Sequence, residues 1–313
     1  MNQHAIQTAA ERFRTAGHAF VRRTPLWKVP GAVFGLDLPE LWLKLEHLQS
    51  GGSFKARGMY NRLLANPIPA AGVIVASGGN AGIATAAAAS ALGVPCEVFV
   101  PTVSSPAKQA KLRELGATVV VTGDVYAEAL EACLARQQET GALLTHAYDQ
   151  PEVVAGAGTM AMEIEEQGGR APGSVLVSVG GGGLIAGVAA WFGDRSRVVA
   201  LEPELAPTLY RAREAGEPVD VSVSGIAADS LGARRIGAIA WEVTQRHVRD
   251  ALLLPDDAIR AAQLALWKEC KLAVEPAAAL PLAALQSGAY RPQAGEVPAL
   301  VICGANVDPA TLA

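Results

Sequence analysis

The sequence lacks several features that define large classes of proteins. Four cysteines occur among 313 residues, and Cys96, Cys133, Cys270 and Cys303 form no C-x-x-C pair. This scatter fits reduced thiols and argues against a disulfide framework or a zinc-ligand motif. The formal net charge is −4, and no stretch is rich in Lys and Arg. Nucleic acid is therefore not an expected partner, because its binding depends mainly on neutralising phosphates.

Long apolar runs and a secretory signal are also missing. The most apolar stretch, 81–96, contains Ser90 and is cut at 93–95 by Gly-Val-Pro, so it predicts a helix followed by a strand and no membrane span. Residues 1–14 carry charges of both signs and no central apolar run, which predicts an amphipathic helix and no secretory signal. We expect a cytoplasmic protein without a membrane segment.

The composition and the spacing of apolar runs predict the fold class. Half of the residues are hydrophobic and 18% are charged, so the chain can bury a large core and would ordinarily form two domains. The predicted strands are 73–76, 96–100, 118–121, 175–179, 198–202 and 299–302, and the predicted helices are 83–92, 105–115, 126–139, 153–167, 184–192 and 206–215. Alternating strands and helices indicate βαβ units on parallel sheets. We therefore predict an α/β fold with two open, twisted, mostly parallel sheets flanked by helices.

The most informative motif is Ser53-Phe54-Lys55, which follows two glycines and precedes a predicted helix. A lysine does covalent chemistry by condensing with carbonyl groups, and burial at a helix N-terminus lowers its pKa toward the neutral form that this reaction needs. Most lysines on a first helical turn are solvated surface charges. Lys55 therefore needs support from elsewhere in the sequence.

Two loops after predicted strands provide that support. Residues 77–82, Ser-Gly-Gly-Asn-Ala-Gly, precede a helix whose free N–H groups favour an anion. Residues 180–183 are four consecutive glycines, which let the backbone approach a phosphate group closely. Each loop alone would be an ordinary turn between a strand and a helix. A third polar cluster, 303–306, follows the last predicted strand, and ligands of open α/β sheets bind at such carboxyl ends.

With these loops in this order, the sequence resembles the serine/threonine dehydratase family of fold-type II pyridoxal-phosphate enzymes, within the tryptophan synthase beta-like superfamily. The resemblance rests on Ser53-Phe54-Lys55, the Ser-Gly-x-Asn of 77–80, the tetraglycine turn, Glu275-Pro276 and the Cys-Gly-x-Asn of 303–306. It implies pyridoxal 5'-phosphate bound between two domains. The large cofactor-binding domain would comprise 1–71 and 149–313, and the small domain 72–148.

The resemblance also implies a role for each residue of the site. Lys55 is expected to bond covalently to the cofactor and to act as general base, and Phe54 to pack against the cofactor ring. Asn80 is expected to hydrogen-bond the ring hydroxyl. Cys303 is expected to face the pyridine nitrogen, where a neutral thiol makes the ring a milder electron sink than a carboxylate would. The remaining sets are Gly180, Gly181, Gly182 and Gly183 for the phosphate, and Ser77, Gly78, Gly79, Asn80 and Ala81 for the substrate carboxylate, with Ser77 also counted as catalytic.

Four positions depart from the patterns of relatives: Gly78, Thr208, Ser230 and Ala157. Ser230 stands where a small Gly or Ala usually lies beneath the cofactor ring, and Ala157 replaces the glutamine of the usual Ala-Gly-Gln-Gly-Thr. Gly78 stands where racemases place a serine that protonates the α-carbon, so we expect poor racemisation. Glu202, Ala206 and Thr208 align with a cation site whose second carboxylate is here Thr208. Divalent cations prefer several charged oxygens, so we expect a monovalent ion such as potassium, or none. Glu202 as a capping or ion-paired carboxylate is an equally good interpretation.

Four further polar residues each have a structural interpretation. Asp149 and Glu275 are candidate supporting groups for the site, but an exposed turn or a helix cap explains each equally well. His47 and His146 are interpreted as hydrogen-bonded structural residues rather than as acid–base catalysts.

The implied function is a pyridoxal-phosphate-dependent lyase of the serine/threonine ammonia-lyase type. It would convert a 3-hydroxy amino acid, L-threonine or L-serine, to a 2-oxo acid and ammonia, as a homodimer acting on small molecules. Alternatives within the family are a hydroxyaspartate or phenylserine dehydratase, a serine racemase-like enzyme and a β-replacement enzyme. A non-catalytic cofactor-binding protein is another alternative.

A dinucleotide-binding module is the alternative from another class. A strand, a glycine-rich turn and a helix, with Glu202 about 20 residues further on, imitate part of the Rossmann fingerprint. However, the third glycine of G-x-G-x-x-G would fall on Ile185. No Walker lysine follows the turn, which argues against a P-loop as well.

Overall fold

The computed structural model describes residues 1–16 and 20–312. One sheet has six strands: β1 (Leu26–Val29), β2 (Leu41–Lys44), β7 (Ser174–Ser178), β8 (Arg197–Pro203), β9 (Val248–Leu254) and β10 (Pro298–Val301). Their spatial order is β1-β2-β10-β7-β8-β9. β1 and β2 pair antiparallel, and the other neighbours pair parallel.

The second sheet has four parallel strands: β3 (Val73–Ala76), β4 (Cys96–Val100), β5 (Thr118–Val121) and β6 (Leu143–Leu144). Their order is β5-β4-β3-β6. One sheet is thus built from 26–44 and 174–301, and the other from 73–144. The domain boundaries at 71/72 and 148/149 stay a prediction.

Eleven α-helices lie in the described residues. They are α1 (Gln3–Thr15), α2 (Lys55–Leu64), α3 (Asn80–Leu92), α4 (Pro106–Glu114), α5 (Tyr126–Thr140), α6 (Pro151–Gly168), α7 (Gly183–Phe192), α8 (Thr208–Ala215), α9 (Ala238–His247), α10 (Asp256–Cys270) and α11 (Pro276–Gln286). α7 and α11 are apolar almost all round and are buried against the six-stranded sheet, as expected for helices without a polar face. No described helix combines the length and the apolar character needed to cross a membrane.

The predicted fold class is confirmed, because both sheets are mostly parallel and flanked by helices. All six predicted strands are present, with ends within one residue of the predicted ones. The helix predicted over 83–92 begins earlier, at Asn80, so that Asn80 and Ala81 form part of its first turn. The helix predicted over 206–215 begins at Thr208, directly after Pro207.

No helix or strand is predicted from the sequence between 216 and 298, where the structure has α9, β9, α10 and α11. The strands β1, β2 and β6, which are only two to four residues long, are not predicted either. Short apolar runs of this kind do not distinguish a strand from a buried helical turn.

The fold brings the predicted loops to one place. β3, β7 and β10 end at the loops that begin with Ser77, Val179 and Ile302. An isolated antiparallel bridge between Ser53 and Gly304 joins the lysine motif to the segment after β10. The carboxyl ends of strands from both sheets therefore face the N-terminus of α2.

Candidate active site

Lys55 is the first residue of α2, and the two glycines before Ser53 place it there. Gly51 and Gly52 have φ angles of 70° and 77°, which glycine adopts without steric cost. The Lys55 Nζ donates to the Ala147 carbonyl at 2.6 Å. Burial lowers the pKa of the amine to about 8, although the Cys303 and Glu275 side chains oppose this shift. Lys55 therefore has an accessible neutral form, which a nucleophile requires.

The asparagine loop, residues 77–81, joins β3 to α3. Gly79 is the N-cap, and α3 begins at Asn80. The Ser77 hydroxyl accepts a hydrogen bond from Gly79 N at 3.3 Å. A side chain at Gly82 would collide with the Ser77 carbonyl, so the tight turn needs glycine there. The first N–H groups of α3 have no partner within the helix and can bind a carboxylate.

Asn80 is already held by other residues of the site. Its Nδ2 donates to both carboxylate oxygens of Glu275, at 2.9 and 3.1 Å, and its Oδ1 accepts from Asn306 Nδ2 at 2.6 Å. Glu275 is 5% exposed, and burial raises the pKa of its carboxyl to about 7 while the Asn80 hydrogen bond opposes this. Glu275 directly precedes α11 as its N-cap.

The tetraglycine loop leads from β7 into α7, which begins at Gly183. A Cβ on Gly181 would overlap the ring of Tyr148, and a Cβ on Gly183 would lie 2.7 Å from the Tyr148 carbonyl oxygen. Gly182 has a φ of +87°, in the left-handed region. No side chain fits between this loop and Tyr148. The loop and the N-terminus of α7 form a cradle for an anion such as phosphate.

Cys303 and Phe54 complete the site around the amine. The Phe54 N–H donates to the Cys303 carbonyl at 3.0 Å, and the Phe54 ring centroid lies 5.0 Å from Lys55 Nζ. Cys303 is buried, and burial raises the pKa of its thiol well above its usual value. The thiol is therefore neutral and carries no charge that would hold a proton on a neighbouring ring nitrogen.

These residues fit pyridoxal phosphate. The site combines an amine for the aldehyde, an amide beside it, a glycine cradle at a helix N-terminus and a neutral thiol. All the site residues predicted from the sequence for the cofactor and the substrate carboxylate lie on the loops at this edge of the two sheets or in the first turns of the helices that follow them. Their individual roles stay predictions.

The predicted cation site has a different arrangement. The Glu202 carboxylate accepts from Thr208 Oγ1 at 2.9 Å, from Leu209 N at 2.8 Å and from Tyr210 N at 2.7 Å. Glu202 thus caps α8, and burial raises the pKa of its carboxyl to about 7. Within 1–16 and 20–312 no cluster of three or more His, Cys, Asp or Glu side chains is arranged for a metal. This geometry favours the capping interpretation, and the cation stays a prediction.

Sequence reasoning missed a buried ionic network beneath α2. Arg57 donates to both oxygens of Glu46, each at 2.8 Å, and to those of Glu163 at 2.7 and 2.8 Å. Lys44 Nζ donates to Glu163 at 2.6 Å. The sequence contained an indication of this network, since Lys44 ends an apolar strand and Arg57 follows Lys55 by two residues. This network anchors the helix that presents Lys55.

Sequence reasoning also missed how the segment 146–149 links three parts of the site. Ala147 contacts Lys55, and Tyr148 packs on the tetraglycine loop. The Asp149 carboxylate accepts from Ala238 N and Ile239 N at 2.9 and 3.0 Å, which is the helix-cap interpretation.

The two histidines near the site, His47 and His146, are each packed among other residues of the protein. His146 Nδ1 accepts from Asp149 N at 3.0 Å and from Tyr148 N at 3.4 Å, so this nitrogen is unprotonated. Burial lowers the pKa of His146 and also of the buried His47. The arrangement of His146 favours the structural interpretation. The Nδ1 of His47 is buried and has no hydrogen-bond partner among the described residues, so the interpretation of His47 as a hydrogen-bonded residue stays a prediction.

Comparisons with known proteins identify the family of this chain. L-threonine ammonia-lyase of Geobacter sulfurreducens is 36% identical over 312 residues, covering 98% of this chain and 76% of that protein. Phenylserine dehydratase of Ralstonia pickettii is also 36% identical, with 94% and 91% covered. The crystal structure of a threonine deaminase from T.th. superposes with a TM-score of 0.90 at 35% identity, covering 98% of this chain and 99% of that one. Residues 18–304 match the sequence profile of the pyridoxal-phosphate dependent enzymes, and the chain belongs to this family.

Proposed function

We propose that this chain is a pyridoxal-phosphate-dependent ammonia-lyase that dehydrates a 3-hydroxy amino acid, L-threonine or L-serine, to a 2-oxo acid and ammonia. The observation that carries the proposal is the Lys55 amine, whose pKa burial lowers to about 8, beside the neutral thiol of Cys303. Two relatives that share over a third of the sequence across almost the whole of this chain are named for this reaction.

The cofactor, when bound, withdraws electrons from the α-carbon of the amino acid and so acidifies the α-proton. The residues of this chain supply the rest. The Lys55 Nζ is placed to accept the α-proton, because the Ala147 carbonyl holds it at the N-terminus of α2. A base with a pKa near the working pH transfers protons efficiently in both directions.

The asparagine loop orients the substrate. Its N–H groups at the start of α3 and the Ser77 hydroxyl are placed to hold the carboxylate, since a helix N-terminus favours an anion. Loss of the β-hydroxyl as water and hydrolysis of the resulting enamine give the 2-oxo acid and ammonia, with one water released and one consumed. The neutral Cys303 thiol favours this elimination over transamination, because it leaves the ring a weaker electron sink.

An aromatic 3-hydroxy amino acid is the second candidate substrate. A relative with 36% identity and 94% coverage of this chain is a phenylserine dehydratase, so identity alone does not separate the two. The homodimer and the cytoplasmic location also belong to this proposal and rest on the family resemblance and the composition.

The proposal is tested by incubating the purified holoprotein with L-threonine, L-serine, phenylserine, 3-hydroxyaspartate and D-serine. We expect equimolar 2-oxo acid and ammonia from at least one L-amino acid, and none with Lys55→Ala. The exposed Lys268 provides a matched control, and Lys268→Ala should be as active as the parent. Protein that holds the cofactor but releases no 2-oxo acid from any of these compounds would refute the proposal.

A further inference from the structure

Asn80 lies on a helix beside the four-stranded sheet, yet its side chain is tied to residues at the edge of the six-stranded sheet. Glu275 precedes α11, and Asn306 follows β10. Asn306 Nδ2 donates both to Asn80 Oδ1 at 2.6 Å and to the Gly51 carbonyl at 2.9 Å. The amide of Asn80 is therefore hydrogen-bonded at its oxygen to Asn306 and at its nitrogen to Glu275.

Two glycines leave room for this arrangement. A Cβ on Gly304 would collide with the Glu275 carboxylate, and a Cβ on Gly52 would lie 2.7 Å from Asn306 Oδ1. Both glycines border the lysine motif. The backbone around Lys55 is thus shaped to admit the two side chains that contact Asn80.

The hydrogen-bond chemistry allows one orientation of the amide. The Gly51 carbonyl only accepts, so the Asn306 nitrogen must face it, and the same nitrogen, which only donates, faces the Asn80 oxygen. The Asn80 nitrogen is therefore turned toward Glu275. Both Nδ2 contacts go to a single carboxylate, and the nitrogen carries two N–H groups. One N–H serves Glu275, and the other is available to an acceptor in the site.

We propose that Glu275 is a positioning residue that holds Asn80 so that its free amide N–H, and never its carbonyl, faces an oxygen of the cofactor ring. This inference rests on the cofactor site proposed above. It assigns a purpose to a buried carboxylate that the reaction itself does not use. Lys55, Cys303, Asp229 and Lys108 supply the other titratable groups around Glu275.

Three variants test the proposal: Glu275→Ala, Glu275→Gln and Glu165→Gln. Glutamine keeps a carbonyl that accepts from Asn80, whereas alanine does not. Glu165 contacts Trp191 and Arg195 and no residue of the site, so it controls for the loss of a carboxylate. The dissociation constant for pyridoxal phosphate and the absorption band of the bound cofactor are measured without any amino acid.

We expect Glu275→Ala to weaken cofactor binding about tenfold and to shift the absorption band, because the Asn80 amide keeps the Asn306 hydrogen bond at its oxygen but its nitrogen is no longer fixed relative to the ring oxygen. Glu275→Gln should retain the parent spectrum and bind within about threefold of the parent. The proposal is overturned if Glu275→Ala matches the parent in both measurements, or if Glu275→Gln is as impaired as Glu275→Ala.

If Glu275→Ala shows no cooperative unfolding transition and so is not properly folded, Asn306→Ala provides a second test of the proposal. It leaves Glu275 holding the nitrogen of Asn80, so the variant should keep the absorption band of the parent; a shifted band at an unchanged thermal midpoint would overturn the proposal, because Asn306 and not Glu275 would then position the amide. No substrate is present in these measurements. A protein that binds the cofactor but releases no 2-oxo acid would therefore refute the proposed reaction without deciding the role of Glu275.

Discussion

Replacing Arg57 with methionine should cost more stability than any single change at an exposed ion pair. Arg57 is 0% exposed and makes four hydrogen bonds to the carboxylates of Glu46 and Glu163. Methionine fills much of the same volume but leaves Glu163 with the ammonium group of Lys44 and Glu46 with the hydroxyl of Thr24. The protein would then contain buried negative charge without sufficient compensation.

The magnitude follows from the burial of the network. Removing one partner of a buried ion pair costs about 3–5 kcal/mol, since the remaining charge stays desolvated. A folded protein is stable by only about 5–15 kcal/mol, so Arg57→Met would remove a large fraction of the total. Urea unfolding of the holoprotein measures the loss as a lower midpoint.

Arg136 is the matched control for Arg57. It also forms a bidentate ion pair, since its Nε and Nη2 each donate to a carboxylate oxygen of Glu97 at 3.1 Å, but its side chain is 45% exposed. Water screens such a pair, so Arg136→Met should change the midpoint far less.

The loss at Arg57 should also depend on pH. In the parent, burial alone would raise the pKa of Glu46, but the charge and hydrogen bonds of Arg57 hold it below its usual value. The contribution of Glu46 is therefore complete above about pH 4.5 and is lost only as the pH falls further. Without Arg57, burial dominates and the folded protein binds a proton that the unfolded chain does not. Stability of the variant should then fall more steeply than that of the parent between about pH 5.5 and about pH 8, since Glu202 and Glu275, whose pKa values burial raises to about 7, titrate in both proteins and cancel in the comparison.

Two results would refute this reasoning. One is a loss for Arg57→Met no larger than that for Arg136→Met. The other is a loss of stability for Arg57→Met that is equal at about pH 5.5 and about pH 8, which would mean that the carboxylates near Arg57 are solvated rather than buried.

Three other changes test the site. In cofactor-free protein, borohydride should trap an aldehyde on Lys55 in increasing yield as the pH rises through about 8, because burial lowers the pKa of the Lys55 amine to about 8. Peptide mass spectrometry measures this yield, and an increase only near about pH 10, as for an ordinary lysine, would contradict the prediction. Gly181→Ala should weaken cofactor binding about tenfold by pushing on Tyr148, and Tyr148→Ala should partly restore the affinity of that variant; no restoration would contradict the steric explanation. Gly78→Ser should slow 2-oxo acid release, because its Cβ would lie 3.0 Å from Ser104 Oγ, and should form D-serine from L-serine, because a serine at this position is expected to protonate the α-carbon; chiral chromatography that detects no more D-serine than with the parent would show the reasoning to be wrong.

Much of the fold and of the site follows from local sequence. The strand from Val73 to Ala76 is a short apolar run bounded by turn residues, and the loops at 77–82 and 180–183 have their shape because of the glycines they contain. Such features depend on neighbours in the chain and can be predicted without knowing the rest of the molecule. The sequence was sufficient to predict the lysine, the anion-binding loops and the parallel sheets.

Only the tertiary structure decided which polar groups surround the lysine. Glu275 meets Asn80 across 195 positions of sequence, Arg57 meets Glu163 across 106, and Ala147 meets Lys55 across 92. The sequence alone left Glu275 and Asp149 equally well explained as caps or exposed turns. Burial separates these interpretations, because a charge inside the protein must find a partner whereas the same charge in water needs none, and burial is a property of the whole packed chain.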